Sequence, residues 1–313
     1  MEDAITANEA PVVVDTDGGV DDLVALWLLA THPAIDLRGV IATGISRPAR
    51  IVARNVLLLF EALDRDIPVV IGADRPVDPA PVVAAAAMHG PEGLGDLQAW
   101  RPRAEPATLT PGELLGETSR TGPVRMLSLG PLSTLASLLD SGAVADLTVM
   151  GGSIRAGGNA LPAAEANIAR DPGAAARVVA HPWTVPTRLV GLDATKHATL
   201  THAEVALFGD SVPAGPIMRK LLRHYGAHAS DPDCFPCHDL FAAAVLVDPG
   251  VATFEHLPLS VDTGGSAAWG MTVADSRPPL PGRSLSDWRR WAVATGVDLD
   301  RYRELLHGAV SAL

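Results

Sequence analysis

Four aspartates lie within eight residues near the start of the chain, in the stretch VVVDTDGGVDDLVAL: Asp15, Asp17, Asp21 and Asp22. Carboxylates this close repel one another unless a cation offsets their charge. A set of oxygen ligands favours Ca²⁺ or Mg²⁺ over zinc. Asp21 and Asp22 alone are also explained as caps of a following helix, but that interpretation leaves Asp15 and Asp17 without a role. The spacing therefore predicts a divalent-metal site.

A second group of polar residues occupies VMGGSIRAGGNALPAAEANIARDPGAAARVV, residues 149–179. Asn159, Glu165 and Asn167 precede a helix predicted to begin near Asp171. Amides and a carboxylate that reach one pocket suit a polyhydroxylated ligand, because together they donate and accept hydrogen bonds. The alternative is that all three are solvated loop residues.

The stretch CFPCHDLF, residues 234–241, has three interpretations. Its Cys-x-x-Cys-His spacing is that of a c-type haem attachment, and Cys-x-x-Cys alone is a redox or metal pair. The third interpretation uses only His238 and Asp239. Haem attachment needs export, for which the chain shows no signal, and the chain has only two cysteines, so no second pair completes a zinc site. We therefore favour the third interpretation, and a disulfide in this loop stays open.

The elements that position these groups alternate along the chain. Short apolar runs typical of buried strands alternate with longer runs of helical periodicity. Such alternation predicts an α/β fold with a mostly parallel open sheet and helices on both faces. Strands are predicted in 11–15, 37–44, 67–73, 124–130, 146–152 and 184–193, and helices in 21–32, 49–63, 131–142 and 171–182.

The C-terminal third follows a different pattern. Helices are predicted in 217–229 and 240–249, strands in 257–265 and 270–275, and a closing amphipathic helix over 284–306. A long Pro-, Ala- and Gly-rich loop, 74–106, is typical of a lid or binding loop. No linker divides the chain, so we expect a single domain over 1–313, with 1–10 as a flexible N-terminus.

Composition excludes several functional classes. The chain has 313 residues, is 48% hydrophobic and carries a net charge of −12. This composition supports a large core, and no basic face for nucleic acid is expected. No run of about 18 uncharged apolar residues predicts a membrane span. The first residues lack the pattern of a secretory signal, so we expect a cytoplasmic enzyme.

Taken together, these motifs resemble those of the inosine–uridine-preferring nucleoside hydrolase family. The stretch DTDGGVDD is similar to the family's N-terminal signature, and MGGSIRAGGNALPAAEANIARDP is similar to its central segment. LGPLSTLA, HGPEGLGD, CHDLFAAAVLVDP and WGMTVAD resemble further family motifs. The resemblance runs from about residue 11 to about residue 280.

The resemblance implies a nucleoside-hydrolase-like fold and a Ca²⁺-dependent N-ribohydrolase, which releases a free base and ribose from a ribonucleoside or related N-riboside. A metal-bound water would be the nucleophile and Asp17 its general base. His238 and His89 would be candidate acids for the leaving base. The implied ribose-binding residues are Asp21, Asn159, Glu165 and Asn167, and the implied metal ligands are Asp17, Asp22, the Leu129 carbonyl and Asp239. The implied assembly is a homodimer or homotetramer.

Two positions depart from the family pattern. Ile45 stands where the family has an asparagine after its second strand, and Ala166 stands where it has an aromatic residue. Both changes put the preferred base and the form of the ribose in doubt. A non-catalytic or much-weakened ribose-binding relative is one alternative. Another is a metal-dependent phosphohydrolase of the haloacid dehalogenase type, which shares the Asp-x-Asp of DTDGG and would need a phosphate-neutralising lysine such as Lys196.

Overall fold

The computed structural model describes residues 10–78, 87–98, 100–265, 267–277 and 288–311. The predicted flexible N-terminus therefore lies outside the described residues, except for Ala10. Residues 79–86 and 99 of the predicted long loop also lie outside them.

The secondary-structure elements are as follows. The strands are β1 Pro11–Thr16, β2 Asp36–Ala42, β3 Val69–Ile71, β4 Val124–Ser128, β5 Val144–Met150, β6 Thr187–Val190, β7 Thr199–Thr201, β8 Cys234–Pro236, β9 Ala252–Val261, β10 Thr272–Ala274 and β11 Arg289–Val297. The α-helices are α1 Val20–Thr31, α2 Ala49–Ala62, α3 Pro111–Ser119, α4 Ser133–Ser137, α5 Ala166–Arg170, α6 Pro172–Ala180, α7 Leu192–Thr195, α8 His202–Ala206, α9 Gly215–Ala227, α10 His238–Val247 and α11 Leu299–Ser311.

One sheet organises the described part of the chain. It has nine strands in the order β10-β9-β11-β6-β5-β4-β1-β2-β3. Every pairing from β11 to β3 is parallel, and β9 pairs antiparallel with both β11 and β10. A separate antiparallel pair joins β7 and β8. The predicted mostly parallel α/β sheet is therefore confirmed.

Strand β1 is central in the sheet and is buried on both faces. Val12 and Val14 pack into the hydrophobic cluster that contains residues of α1, α2 and α10. Val13 points to the opposite face and packs with residues of α3 and α6, such as Leu115 and Val178. Successive side chains of a strand face opposite sides, so a strand covered by helices on both faces needs the unbroken apolar run seen here.

The predicted closing helix over 284–306 is wrong in its middle part. Arg289–Val297 is strand β11, which pairs with β9 along most of its length, and the helix begins only at Leu299. Trp291 and Val293 are buried together on one face of the sheet. Their spacing of two is the strand period, and pairing with β9 overrides the local helical pattern.

Further helices differ from the prediction, and α5, α7 and α8 are short helices that were not predicted. The helix predicted over 131–142 is shorter, because α4 covers only Ser133–Ser137 and a 3₁₀ turn follows. Helix α3 was not predicted, although its start carries a signal. Thr110 Oγ1 accepts a hydrogen bond from Glu113 N, and the Glu113 carboxylate accepts one from the Thr110 N–H. This reciprocal cap is a known helix start.

Helix length and hydropathy also bear on membrane association. None of the helices in the described ranges is both long enough and apolar enough to cross a bilayer.

Candidate active site

A pocket of about 770 Å³ lies beyond the carboxyl ends of the central strands. In an open parallel sheet this edge is where ligands bind. The structure brings together here every residue to which the family resemblance assigns a role: Asp17, Asp21, Asp22, His89, Leu129, Asn159, Glu165, Asn167, His238 and Asp239. Their individual roles stay predictions.

The turn between β1 and α1 is fixed by the side chain of Asp22. Its Oδ1 accepts hydrogen bonds from Thr16 Oγ1 and from Asp17 N, and its Oδ2 accepts one from Gly19 N at 2.9 Å. Gly18 has a φ of +68°, in the left-handed region that disfavours a side chain. Gly18 thus lets the chain turn sharply enough to place several acids at one point.

Replacing Gly18 with alanine should destabilise the protein by about 2–4 kcal/mol, because strain at positive φ and a steric clash add. A Cβ at this position would lie 2.8 Å from Val52 Cγ1. Gly142 is the matched control, since its φ is +64° and a Cβ there would meet nothing within 4 Å. Gly142→Ala should therefore cost only the strain, about 1–2 kcal/mol. Urea denaturation measures the free energy of unfolding of both variants. Equal losses of stability would show that the contact with Val52 does not destabilise the Gly18→Ala variant.

Three buried carboxylates form the acidic cluster: Asp21, Asp22 and Asp239. One oxygen of each lies within 4.8 Å of the others. Burial and the neighbouring acids raise the pKa of Asp21 to about 6 and that of Asp22 to about 7, and they raise the pKa of Asp239 well above its usual range. The protein alone therefore does not balance three negative charges at this place.

The acidic cluster fits a hard divalent cation. Its ligands are all oxygen atoms, as Ca²⁺ and Mg²⁺ prefer. Asp21 Oδ1 is buried and has no hydrogen-bond partner among the described residues, so it has a free ligand position. Asp22 and Asp239 were predicted as metal ligands, whereas Asp21 was predicted to bind ribose.

Asp17 lies beside the acidic cluster and not within it. Its Oδ2 accepts a hydrogen bond from Ser46 Oγ at 2.7 Å and lies 3.4 Å from Arg170 Nη1. Arg47 Nη1 lies 3.9 Å from Oδ1. Burial alone would raise the pKa of Asp17, but Arg170 and Arg47 outweigh it and hold that pKa below its usual value. Asp17 is therefore ionised at neutral pH.

The other three predicted ribose-binding residues, Asn159, Glu165 and Asn167, line the same pocket as the acidic cluster. Glu165 caps α5, and its carboxylate accepts hydrogen bonds from the backbone N–H groups of Asn167, Ile168 and Gly152. Asn167 Nδ2 donates to the Leu129 carbonyl at 2.7 Å. The carbonyl predicted as a metal ligand therefore already accepts one hydrogen bond, and a carbonyl oxygen has a second lone pair for another partner.

Both predicted histidines are neutral at pH 7 in this environment. Burial lowers the pKa of His89, whose Nδ1 accepts a hydrogen bond from Val20 N at 3.3 Å. Burial, with His89 and Lys196 nearby, lowers the pKa of His238 to about 4. The Nδ1 atom of His238 lies 2.7 Å from Thr195 Oγ1. If the threonine hydroxyl donates, the ring proton of His238 is on Nε2.

The fourth aspartate of the first motif does not face the pocket. Asp15 is buried between strands and accepts hydrogen bonds from Thr43 Oγ1 at 2.5 Å and Ser128 Oγ at 3.1 Å. Burial raises its pKa to about 7. It ties β1 to its two neighbouring strands.

The cysteines take no part in a disulfide. Cys234 and Cys237 are both free thiols. Cys234 Sγ donates to Thr199 Oγ1 at 3.1 Å, and Cys237 is buried before the first turn of α10. Cys237 thus packs beneath the site, and His238 and Asp239 follow it into the pocket.

Sequence analysis missed several pocket residues, which are Arg47, Arg170 and Tyr225, together with Ser46 and Thr195 behind them. Ser46 and Arg47 directly follow Ile45, and the side chains of both lie close to the carboxylate of Asp17. Arg170 directly precedes the Asp-Pro of the second motif, and the presence of a charged residue within this motif was the available signal.

Comparison with known proteins identifies the family of this chain. The model of the family described as inosine-uridine preferring nucleoside hydrolase matches residues 12–304. The pyrimidine-specific ribonucleoside hydrolase RihA of Salmonella paratyphi B is 33% identical over 278 residues, which are 85% of this chain and 88% of that protein. RihA of Klebsiella pneumoniae is 32% identical over the same shares of each chain.

Similar solved structures share the fold of this chain. A plant nucleoside hydrolase superposes with a TM-score of 0.88 at 25% identity and covers 97% of this chain and 100% of its own. An inosine-guanosine nucleoside hydrolase also gives 0.88, over 96% of this chain and 99% of its own, and its 22% identity supports the fold alone.

The open parallel sheet, the acidic pocket at its carboxyl edge and these matches define a hydrolase that acts on N-glycosyl bonds. The chain belongs to the inosine-uridine preferring nucleoside hydrolase family, as its motifs predicted.

Proposed function

We propose that this enzyme hydrolyses the N-ribosidic bond of a ribonucleoside or related N-riboside with the help of Ca²⁺, and releases a free base and ribose. The observation that carries the proposal is the convergence of the acidic cluster with Glu165 and Asn167 in one pocket. Cleavage of a ribosyl bond in this way needs acids that hold a cation and, in the same pocket, groups that hold the sugar hydroxyls.

Asp22 and Asp239 would hold the cation, with Asp17, Asp21 and the Leu129 carbonyl within the same pocket. When bound, a divalent ion supplies a water of lowered pKa and attracts sugar hydroxyls. Asp21 is assigned to the ribose by the family resemblance, and its distance from Asp22 and Asp239 also makes it a candidate ligand of the cation.

Asp17 is proposed as the general base, which accepts a proton from the attacking water. It is ionised because two guanidinium groups face it. Its negative charge and those of its neighbours also stabilise the positive charge that develops on the ribosyl ring as the base leaves. Asn159, Glu165 and Asn167 are proposed to orient the sugar through its hydroxyls.

His238 is proposed to meet the leaving base. With a pKa near 4 the ring is neutral at pH 7, so it donates through Nε2–H as a hydrogen-bond donor to a base that gains negative charge. His89 lies near Tyr225, with ring centroids 5.6 Å apart, and is proposed to close the same side of the pocket.

The Thr195→Val variant should lower kcat by about tenfold, the effect of one lost buried hydrogen bond of about 1–1.5 kcal/mol. In this proposal the Thr195 hydroxyl donates to His238 Nδ1 and so keeps the ring proton on Nε2, and its removal weakens donation to the leaving base. Thr195→Ser keeps the hydroxyl and should retain most of the activity. A riboside with a nitrophenolate leaving group needs no such donor, so its turnover should be nearly unchanged. An equal loss on both substrates would contradict the role of His238.

The proposed function is tested by incubating the purified enzyme with uridine, cytidine, inosine and guanosine and measuring the free base. Release that stops with a chelator and returns with Ca²⁺ supports the proposal. Binding of nucleosides without base release would favour a ribose-binding relative, and phosphate release from a phosphomonoester would favour a phosphohydrolase. The assembly as homodimer or homotetramer and the cytoplasmic location stay predictions from the family resemblance and the sequence.

A further inference from the structure

Two arginines are buried inside this acidic pocket, and the proposed chemistry uses them only to keep Asp17 ionised. Arg47 follows β2 and is 7% exposed, and Arg170 ends α5 and is 8% exposed. They come from segments far apart in the chain and converge on one carboxylate, that of Asp17.

The contacts of the two arginines are directed at Asp17. Arg170 Nη1 lies 3.4 Å from Asp17 Oδ2 and 3.5 Å from Asn167 Oδ1. Arg47 Nη1 donates to the Asp17 backbone carbonyl at 2.5 Å and lies 3.9 Å from Oδ1. Ser46 Oγ completes the set at 2.7 Å from Oδ2. Both the backbone and the side chain of Asp17 are thus held.

This arrangement is costly to build. The Nε atoms of Arg47 and Arg170 are buried and have no hydrogen-bond partner among the described residues. A buried donor without a partner destabilises a fold, and a buried charge does so strongly unless it is paired. Neither arginine belongs to the hydrophobic clusters of the core. Their positive charge is therefore the property that explains their position.

We propose that Arg47 and Arg170 are positioning residues that form a guanidinium clamp on Asp17. The clamp holds its carboxylate beside the acidic cluster, keeps the site assembled before a cation arrives, and weakens cation binding by electrostatic repulsion. The clamp rests on the proposed function, because Asp17 is the base of that proposal. It goes beyond that function in stating that the affinity for the cation is set by two arginines of this chain.

The test is a calorimetric titration of Ca²⁺ into the metal-free wild-type enzyme and the variants Arg170→Gln and Arg47→Gln. Removal of one positive charge that contacts Asp17, beside the acidic cluster, should tighten Ca²⁺ binding by at least about tenfold. Arg170→Lys keeps the charge and should bind like the wild type. Arg177→Gln, an exposed arginine one helix further along, is the matched control and should not change the affinity.

A second readout is the thermal midpoint in chelator and in Ca²⁺. The two glutamine variants should unfold at a lower temperature than the wild type in chelator, and Ca²⁺ should raise their midpoints by more, because a tighter ligand stabilises the folded state further. If one variant does not fold, the other carries the test.

Unchanged or weaker Ca²⁺ binding in the glutamine variants would overturn the clamp. This outcome is separate from the outcome of the proposed function, because binding and unfolding are measured without turnover. An enzyme that releases no base can still show the change in affinity, and an active enzyme can fail to show it.

Discussion

Replacing Asp17 with asparagine should lower kcat by about 10²- to 10⁴-fold while the protein stays folded, because general-base catalysis contributes about that much. Asp17 is the pocket carboxylate that two guanidinium groups keep ionised. The amide has the same shape, can still accept the hydrogen bond from Ser46, and cannot take a proton from water. The loss should therefore appear in kcat more than in KM.

The measurement is steady-state base release, normalised to folded enzyme by the thermal unfolding signal. Asp15→Asn is the matched control, since Asp15 is two residues away and its carboxyl contacts Thr43 and Ser128 instead of the pocket. That variant should change stability, with kcat per folded molecule close to the wild type. Full activity of Asp17→Asn would remove the general base from the mechanism.

Replacing Asp239 with asparagine should weaken Ca²⁺ binding by about 100-fold or more. Mutation of residues that only orient metal ligands lowers metal affinity by about 10- to 100-fold. Asp239 belongs to the acidic cluster itself, so we expect a larger effect. Because the proposed reaction depends on the cation, base release at low Ca²⁺ should fall in parallel, and high Ca²⁺ should partly restore it.

Calorimetry and base release over a range of Ca²⁺ concentrations measure this effect. Asp248→Asn is the control at the other end of α10, where the carboxylate pairs with Arg301 on the surface. It should leave Ca²⁺ binding unchanged. An Asp239→Asn variant with wild-type affinity would show that the cation binds elsewhere.

Much of the sheet was predictable from local sequence. The apolar run at 11–15 predicts a strand covered on both faces, and β1 is such a strand, with Val12 and Val14 on one face and Val13 on the other. Its end was recognisable as a site because four acids follow one another around two glycines. A cluster of acidic residues that are close in sequence can be recognised without knowledge of the tertiary structure.

Contacts between distant segments were not predictable in the same way. The closing segment carries a helical pattern that pairing of β11 with β9 overrides. The contacts of Arg47 and Arg170 with Asp17 join three segments that only the folded sheet brings together.

The cap that Glu165 provides for α5 also competes with the sugar-binding role that its family motif implies.

The most direct measurement is a crystal structure of the enzyme grown with Ca²⁺ and a slowly cleaved nucleoside analogue. The expected result is one ion with carboxylate oxygens of Asp22 and Asp239 at about 2.3–2.6 Å and the ribose hydroxyls above it. A structure in which these carboxylates turn apart, with no ion between them and the analogue bound elsewhere, would contradict the proposed hydrolysis.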